Sequence, residues 1–433
     1  MKEILNFIGG ELVPPASGHW LENFEPATGK VHSRLPDSDV SDVDAAVRAA
    51  EAAAPEWGRL QPAERARLLR RVAERISASL DELARAESID SGKPLSVALS
   101  VDIPRSALNF EFFADAITQF SSEAHAIGDR VLGYTLRQPL GVVATISPWN
   151  LPLYLLTWKI APALAAGNAV VAKPSEVTPM TAYLLSRIAR EAGLPAGVLN
   201  VVHGTGPKVG AELSRHPGIR AISFTGSTRT GAEISREAAP RFKKLSLEMG
   251  GKNPAIVFED ARFEETVSEL VRGAFSNQGQ ICLCGSRILI QESVYAKYRD
   301  ALVKRVSALR VSDPLEESDV SAVPQGAVVS RAHHEKILAA LKQAKAEGGR
   351  VLCGGGAARV AGRCEQGWFV QPTLIEGLPN SCDTNQEEIF GPVATLIPFR
   401  DERHALELAN ESRYGLAASV WTTDLDRAHR VAS

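Results

Sequence analysis

No apolar run in this sequence reaches the ~18 residues a membrane-spanning helix needs, so a helical membrane protein is not expected. The opening Met1-Lys-Glu-Ile-Leu-Asn lacks a basic stretch followed by an apolar core, which argues against a signal peptide. Neither sign of charge dominates: 48 basic against 51 acidic residues leave a formal net charge of −3, giving no case for a nucleic-acid or anionic-membrane partner. The five cysteines (Cys282, Cys284, Cys353, Cys364 and Cys382) are too few and too clustered for a disulfide framework. Cys282-Leu-Cys284 has no companion Cys or His pair at a ligand spacing, so no metal site is expected. What remains is an ordinary globular composition, 45% apolar and 23% charged, long enough for two or three domains. The reducing cytoplasm, where free thiols persist, is the expected compartment.

The first 40 residues carry turn signals at Gly9-Gly10, Pro14-Pro15 and Pro26 to Gly29 and read as short hairpins or an arm wrapped on a larger body. Helical patterns follow at 42–57, 63–79 and 80–91, and again beyond Asp102-Ile-Pro-Arg105, with Pro104 at a start or kink. Residues 122–139 read as extended chain that pairs with something distant. From Leu140 the pattern alternates: strands at 141–146, 169–172, 198–203 and 219–224, with helices at 153–166, 178–192, 207–214 and 227–239 between and after them. Such alternation predicts an α/β fold, a doubly wound parallel sheet whose ligands bind beyond the carboxyl ends of its strands. After Gly250-Gly251 a second α/β series begins, with a strand at 255–258, helices at 263–275, 294–309 and 332–346, and a strand from Ile288. The chain stops at Ser433 inside an apparent helix at 425–431, which reads as a truncation.

Several residues at these strand ends can carry chemistry. Cys282 follows a polar, glycine-containing turn and precedes the apolar strand, which puts its thiol at the mouth of a sheet; the plainer reading is a small buried hydrophobe. Asn150, in Pro148-Trp-Asn, can aim an amide donor into the crevice or close an Asx turn on its own backbone. Glu176, in Lys173-Pro-Ser-Glu, can accept from ribose hydroxyls or form a solvated charge pair with Lys173. Gly226 and Ser227 open a helix whose free N–H groups and dipole suit a pyrophosphate, though Ser227 also reads as a plain N-cap. Glu248 sits at the end of an apolar strand, where partial desolvation would raise its pKa and fit it to be a general base. No histidine lies near either Glu248 or Cys282, so a Cys–His protease pair is not supported.

Six segments in this order, Pro148-Trp-Asn150, Lys173-Pro-Ser-Glu176, Phe224-Thr-Gly-Ser227, Glu248-Met-Gly-Gly251, Gly279-Gln-Ile-Cys282 and Glu388-Ile-Phe-Gly-Pro392, resemble the NAD(P)-dependent aldehyde dehydrogenase superfamily. The likeness runs from about Asn6 to Ser433. It implies an NAD-binding domain at 1–121 and 140–249, an oligomerisation strand at 122–139 and a catalytic domain at 250–433. It implies Cys282 as nucleophile, Asn150 with the Cys282 N–H as oxyanion hole and Glu248 as the base for water. Ile146, Trp149, Lys173, Glu176, Gly206, Gly226, Ser227, Lys336, Glu388 and Phe390 would contact NAD, with Glu176 favouring NAD over NADP. The 146–160 stretch, Cys282-Leu-Cys284 and Asp102-Ile-Pro-Arg105 are similar to the dehydrogenases of 2-aminomuconic and 2-hydroxymuconic semialdehydes, from kynurenine and aromatic-ring catabolism. There Arg105 would bind a substrate carboxylate, with Leu151 and Trp158 also in the substrate site. For the full-length form a homodimer or homotetramer is implied; in this chain an exposed edge at 122–139, weakened oligomerisation and a loss of activity are expected, because the family continues several dozen residues past Ser433. The alternatives are an acylating, coenzyme A-dependent enzyme, which commonly lacks the glutamate base, and a non-catalytic member of the fold.

Overall fold

The computed structural model describes residues 2–433, which divide into two compact units. The first comprises the segments up to Asn23, Val31–Asp90 and Ala98–Glu248; the second comprises Phe24–Lys30, Ser91–Val97 and Met249–Ser433.

The first unit is built on a seven-stranded sheet. In chain order its strands are β1 (Asn6–Ile8), β2 (Glu11–Val13), β3 (Val142–Ile146), β4 (Ala169–Lys173), β5 (Leu199–Val201), β6 (Ile219–Thr225) and β7 (Lys244–Glu248). Across the sheet they run β7-β6-β3-β4-β5-β1-β2. The five from β7 to β5 are parallel, and the N-terminal hairpin closes the far edge antiparallel, Phe7 pairing with Val201. Every residue of β3 and β4 is buried, as central strands covered on both faces must be. The crossover helices Pro152–Ala165 and Met180–Glu191 end just before Gly167 and Gly193, whose positive φ values of 86° and 78° suit a chain leaving a helix. The sequence places these elements within a few residues, although the strand expected at 198–203 shortens to Leu199–Val201.

Residues 122–139 differ from the lone strand expected. Ala124–Ile127 and Val131–Tyr134 fold back on each other around Gly128, at φ 62°, as a two-stranded antiparallel hairpin that no other strand joins among the described residues. A local turn supplies the pairing partner at less loop entropy than a distant one would.

The second unit carries a six-stranded sheet of β8 (Pro254–Val257), β9 (Arg287–Gln291), β10 (Arg350–Cys353), β11 (Thr373–Glu376), β12 (Val393–Phe399) and β13 (Ser419–Trp421). The order is β10-β11-β12-β9-β8-β13, parallel except for β10 against β11. Side chains alternate across it: Val257, Ile288, Ile290 and Leu396 pack against helices Phe263–Phe275 and Tyr295–Ser307, while Ile256, Leu289 and Ile397 join Phe258, Phe399 and Ala405. Arg287, at the start of β9, is buried and donates to the carbonyls of Lys252, Leu408 and Ala409 and to Asn380 Oδ1, tying down the strand that follows the Cys282 loop.

Candidate active site

In the first unit the predicted residues gather at the carboxyl ends of the parallel strands. Ile146 ends β3, and the chain turns through Trp149 and the buried Asn150 to Leu151, the residue before the helix that begins at Pro152. Lys173 ends β4; its ammonium donates to Pro174 O at 3.0 Å and to Glu176 Oε2 at 3.1 Å, leaving the Glu176 carboxylate about one-third exposed. Gly206 opens the helical turn Gly206–Gly210 beyond β5. Past β6, Ser227 caps the helix Thr228–Ala238, its Oγ accepting from Thr230 N at 3.2 Å, so the plain N-cap role is present. Gly226 lets the chain pass close to the Phe224 ring: a Cβ there would lie 2.5 Å from the ring tip, which would have to shift. Its N–H donates to Glu248 O, which leaves Ser227 and the first turn facing outward. A glycine approach and a helix N-terminus beyond β6, with an accessible carboxylate beyond β4 on the far side of β3, together fit a dinucleotide.

Glu248 corrects one expectation. Its strand reads as apolar, but β7 is the sheet edge, paired only with β6, and the Glu248 side chain is exposed and not partly desolvated. The desolvated group is its neighbour Lys159, which the sequence reading did not single out although it lies within the quoted 146–160 stretch. Lys159 is 4% exposed on the Pro152–Ala165 helix, with Nζ 3.4 Å from Ser223 Oγ. Burial pushes its pKa from 10.5 down to about 8, against the opposing pull of the Glu248 carboxylate. Because the folded value lies below the unfolded one, the unfolded chain holds the extra proton between about pH 8 and 10.5, and this residue's contribution to stability rises with pH across that window. Urea denaturation of wild type and Lys159→Met at stepped pH should show the difference moving in favour of wild type from about pH 8 to 10.5; a difference that ignores pH would contradict the assignment.

Two of the expected substrate residues, Arg105 and Trp158, meet through Tyr154, which was not singled out from the sequence. Arg105 is exposed on helix Ile103–Thr118, with its guanidinium 5.8 Å over the Tyr154 ring. Tyr154 stands edge-on to Trp158 at 6.4 Å, and Trp158 edge-on to Phe113 at 5.8 Å. Asn109 donates to Tyr154 O and Thr157 Oγ1, fixing the helix that presents both rings.

In the second unit Cys282 sits on a loop with unusual backbone. Asn277 (φ 51°), Gln278 (φ 55°) and Gly279 (φ 67°) are consecutive left-handed residues, a conformation that costs non-glycine residues about 1–2 kcal/mol each. The loop is held on several sides. A Cβ on Gly279 would lie 2.1 Å from Gly391 O. Gln280 accepts from Val329 N at 3.1 Å, and Asn253 Nδ2 donates to the carbonyls of both Cys282 (2.7 Å) and Cys284 (3.1 Å). Cys282 is half-buried; the Cys284 thiol, in apolar surroundings, is pushed up to about 12 by burial and stays protonated.

Lys336 and Glu388, with Phe390 two residues further on, lie side by side in this unit. Lys336 Nζ donates to Glu388 O at 3.3 Å. Glu388 Oε1 accepts from Gly251 N at 3.1 Å, and a Cβ on Gly250 would meet Glu388 Oε2 at 2.3 Å, so Gly250-Gly251 is the seat of this carboxylate. Burial raises the Glu388 pKa, with the Gly251 N–H pulling the other way. Phe390 is left-handed (φ 62°), and His333 Nε2 lies 2.7 Å from its carbonyl, which fixes the Nε2–H tautomer because a carbonyl only accepts. Burial lowers the His333 pKa to about 4, so the ring is neutral. His333 could have been suspected from its place one turn before Lys336.

The first unit presents a strand edge suited to a dinucleotide, and the second a glycine-seated carboxylate and a cysteine on a loop with left-handed backbone. A profile of the aldehyde dehydrogenase family matches residues 12–433. The chain is 47% identical over 430 residues to the 2-aminomuconic semialdehyde dehydrogenase of Bos taurus, covering 99% of this chain and 87% of that protein. It is 45% identical over 438 residues to the 2-hydroxymuconic semialdehyde dehydrogenase of Pseudomonas sp. strain CF600, covering 100% and 89%. The NAD+ complex of an aldehyde dehydrogenase from Bacillus cereus superposes with a TM-score of 0.95 at 38% identity, covering 100% of this chain and 86% of that one. The chain belongs to the aldehyde dehydrogenase family and is an oxidoreductase acting on aldehydes.

Proposed function

We propose that the protein oxidises an acidic, conjugated semialdehyde of the 2-aminomuconic or 2-hydroxymuconic class to its carboxylate. The observation that carries the substrate class is Arg105 exposed over Tyr154 beside Trp158: a guanidinium for a carboxylate and aromatic faces for a conjugated chain. The relatives named above bear the same substrate class in their names. The cofactor is NAD, which Lys173, Glu176, Gly206, Gly226, Ser227, Lys336, Glu388 and Phe390, with Ile146 and Trp149, would hold; when bound it supplies the hydride acceptor.

The chain's own residues do the rest. Cys282, as thiolate, adds to the aldehyde carbon. Asn150 and the Cys282 N–H stabilise the oxyanion that forms. After oxidation leaves a thioester, Glu248 takes a proton from water, whose oxygen attacks the acyl carbon, and the thiolate leaves with the carboxylate product formed. An accessible Glu248 beside the Lys159 amine suits a base that must reach water. The protein is also a homo-oligomer of the cytoplasm: the hairpin presents Ile127, Leu132, Tyr134 and Leu136, each more than 60% exposed, and all five cysteines are free.

The test is turnover of a muconic semialdehyde with NAD, followed as reduced nicotinamide with and without coenzyme A. Activity independent of coenzyme A is expected; dependence on it would select the acylating reaction instead. Arg105→Ala should raise KM for the acidic semialdehyde by roughly 10–100-fold, the loss of one charge-assisted pairing, while leaving a simple aliphatic aldehyde nearly unaffected. Equal effects on both would refute the carboxylate clamp.

A further inference from the structure

The strand ends opposite those just described carry a second concave feature. At the amino ends of β3 and β6 lies a groove of about 610 Å³, within the range of small-molecule sites. One wall is the last turns of helix Val40–Arg59, another is the segment 137–142 that leads into β3, and the third is Gly218 and Arg220 at the start of β6. Three guanidinium groups line it, Arg59, Arg137 and Arg220, against the single carboxylate of Glu51. All three arginines are exposed, and among the described residues none of them is in an ion pair, whereas Arg34, Arg70 and Arg75 of the same unit each have a carboxylate partner. The Arg137 guanidinium carbon lies 4.7 Å over the Phe120 ring. Glu51 is turned toward the sheet, where a Cβ on Gly218 would lie 2.5 Å from its Oε1. Between the charges the lining is apolar and stiff: Pro55, Pro139, Leu140 and Val142.

Like charges gathered on a concave wall repel one another, so their arrangement favours a ligand that neutralises them. Guanidinium groups pair in bidentate fashion with carboxylate or phosphate, and the prolines offer a face to an apolar or planar body. We propose that this groove binds a small organic dianion, bearing two carboxylate or phosphate groups, independently of the catalytic residues. Nothing in the proposal depends on which aldehyde is the substrate.

Calorimetric titration of the whole protein at about 150 mM salt, with NAD saturating, tests it, because at that ionic strength diffuse surface attraction is screened within about 8 Å. The probes are trans,trans-muconate, inorganic pyrophosphate and, as a monoanion, acetate. Saturable binding of a dianion is expected, with acetate at least about tenfold weaker and affinity falling about tenfold or more in Arg59→Ala/Arg220→Ala. Muconate binding tighter than pyrophosphate assigns a dicarboxylate ligand; the reverse assigns a phosphate one. Because muconate resembles the proposed product, the same titration is run on Arg105→Ala: binding that persists there and is lost in the double variant belongs to the groove. No saturable binding of either dianion, wild-type affinity in the double variant, or loss in Arg105→Ala alone would each overturn the proposal. Both groove arginines are exposed, and basal turnover in the double variant should be unchanged.

Discussion

Cys282→Ser is expected to lower kcat/KM for aldehyde oxidation by at least about a thousandfold while leaving the fold intact. The substitution keeps the size of the side chain, and the loop is positioned by backbone contacts that do not involve the sulfur: Asn253 to the Cys282 and Cys284 carbonyls, Gln280 to Val329 N, Gly279 against Gly391. What is lost is therefore chemical. A thiol ionises near neutral pH and its thiolate adds readily to a carbonyl carbon; a serine hydroxyl has no comparable ionised form, and no histidine stands nearby in sequence to activate it. Cys284→Ser makes the internal comparison. Its thiol is held protonated by burial and serves packing, so most of the activity should survive. Steady-state kinetics on the two variants decide the matter, and similar losses in both would remove Cys282 from its assigned role.

Gly279→Ala should destabilise the protein by about 2–5 kcal/mol, the largest expected effect of a single methyl group. Two costs combine. Alanine at φ 67° carries the left-handed penalty of about 1–2 kcal/mol. Its Cβ would also lie 2.1 Å from Gly391 O and 2.4 Å from Gly391 C, backbone atoms that cannot swing away, and forcing such a contact costs a further 1–3 kcal/mol or so. Relief would displace either the Cys282 loop or the Phe390–Pro392 turn, so activity per folded molecule should fall too. Gly273→Ala, in helix Phe263–Phe275, is the matched control: a Cβ there meets nothing within 4 Å, and the helix should gain up to about 1 kcal/mol. Denaturant unfolding of both variants tests this, and equal small changes would show that the loop is not seated as described.

These two glycines illustrate what could be read from the residues alone. The parallel core was legible because β3 and β4 are short apolar runs between helices closed by glycine, a local pattern with one economical reading. The hairpin of β1 and β2 was not placed on that sheet, since pairing Phe7 with Val201 depends on nothing within either segment. Ser419–Trp421 is three residues long and carries too little pattern to announce a strand. Among the candidate site residues, identities and strand-end positions were legible, but environments were not. Glu248 looked desolvated because its strand is apolar, and only the sheet order shows that strand at the edge. Lys159 was passed over as one charge in an apolar helix, although a lysine on a buried face is the rarer circumstance. Gly250-Gly251 stands beside Glu248 in sequence, yet the contact that requires glycine comes from Glu388, 138 positions along the chain from Gly250 (388 − 250). Tyr154 and His333 act through Arg105 and Phe390, and such through-neighbour roles leave no mark in spacing.

In the proposed reaction the aldehyde carbon becomes covalently attached to Cys282 and is released by water that Glu248 activates. Acid quenching of Glu248→Gln during turnover, followed by digestion and mass spectrometry of the peptide spanning 277–287, tests it directly. An acyl group on Cys282 is expected, with reduced nicotinamide released in a burst of about one equivalent per active subunit before slow turnover. Reduced nicotinamide formed with no adduct on that peptide, or with the adduct on Cys284, would contradict it.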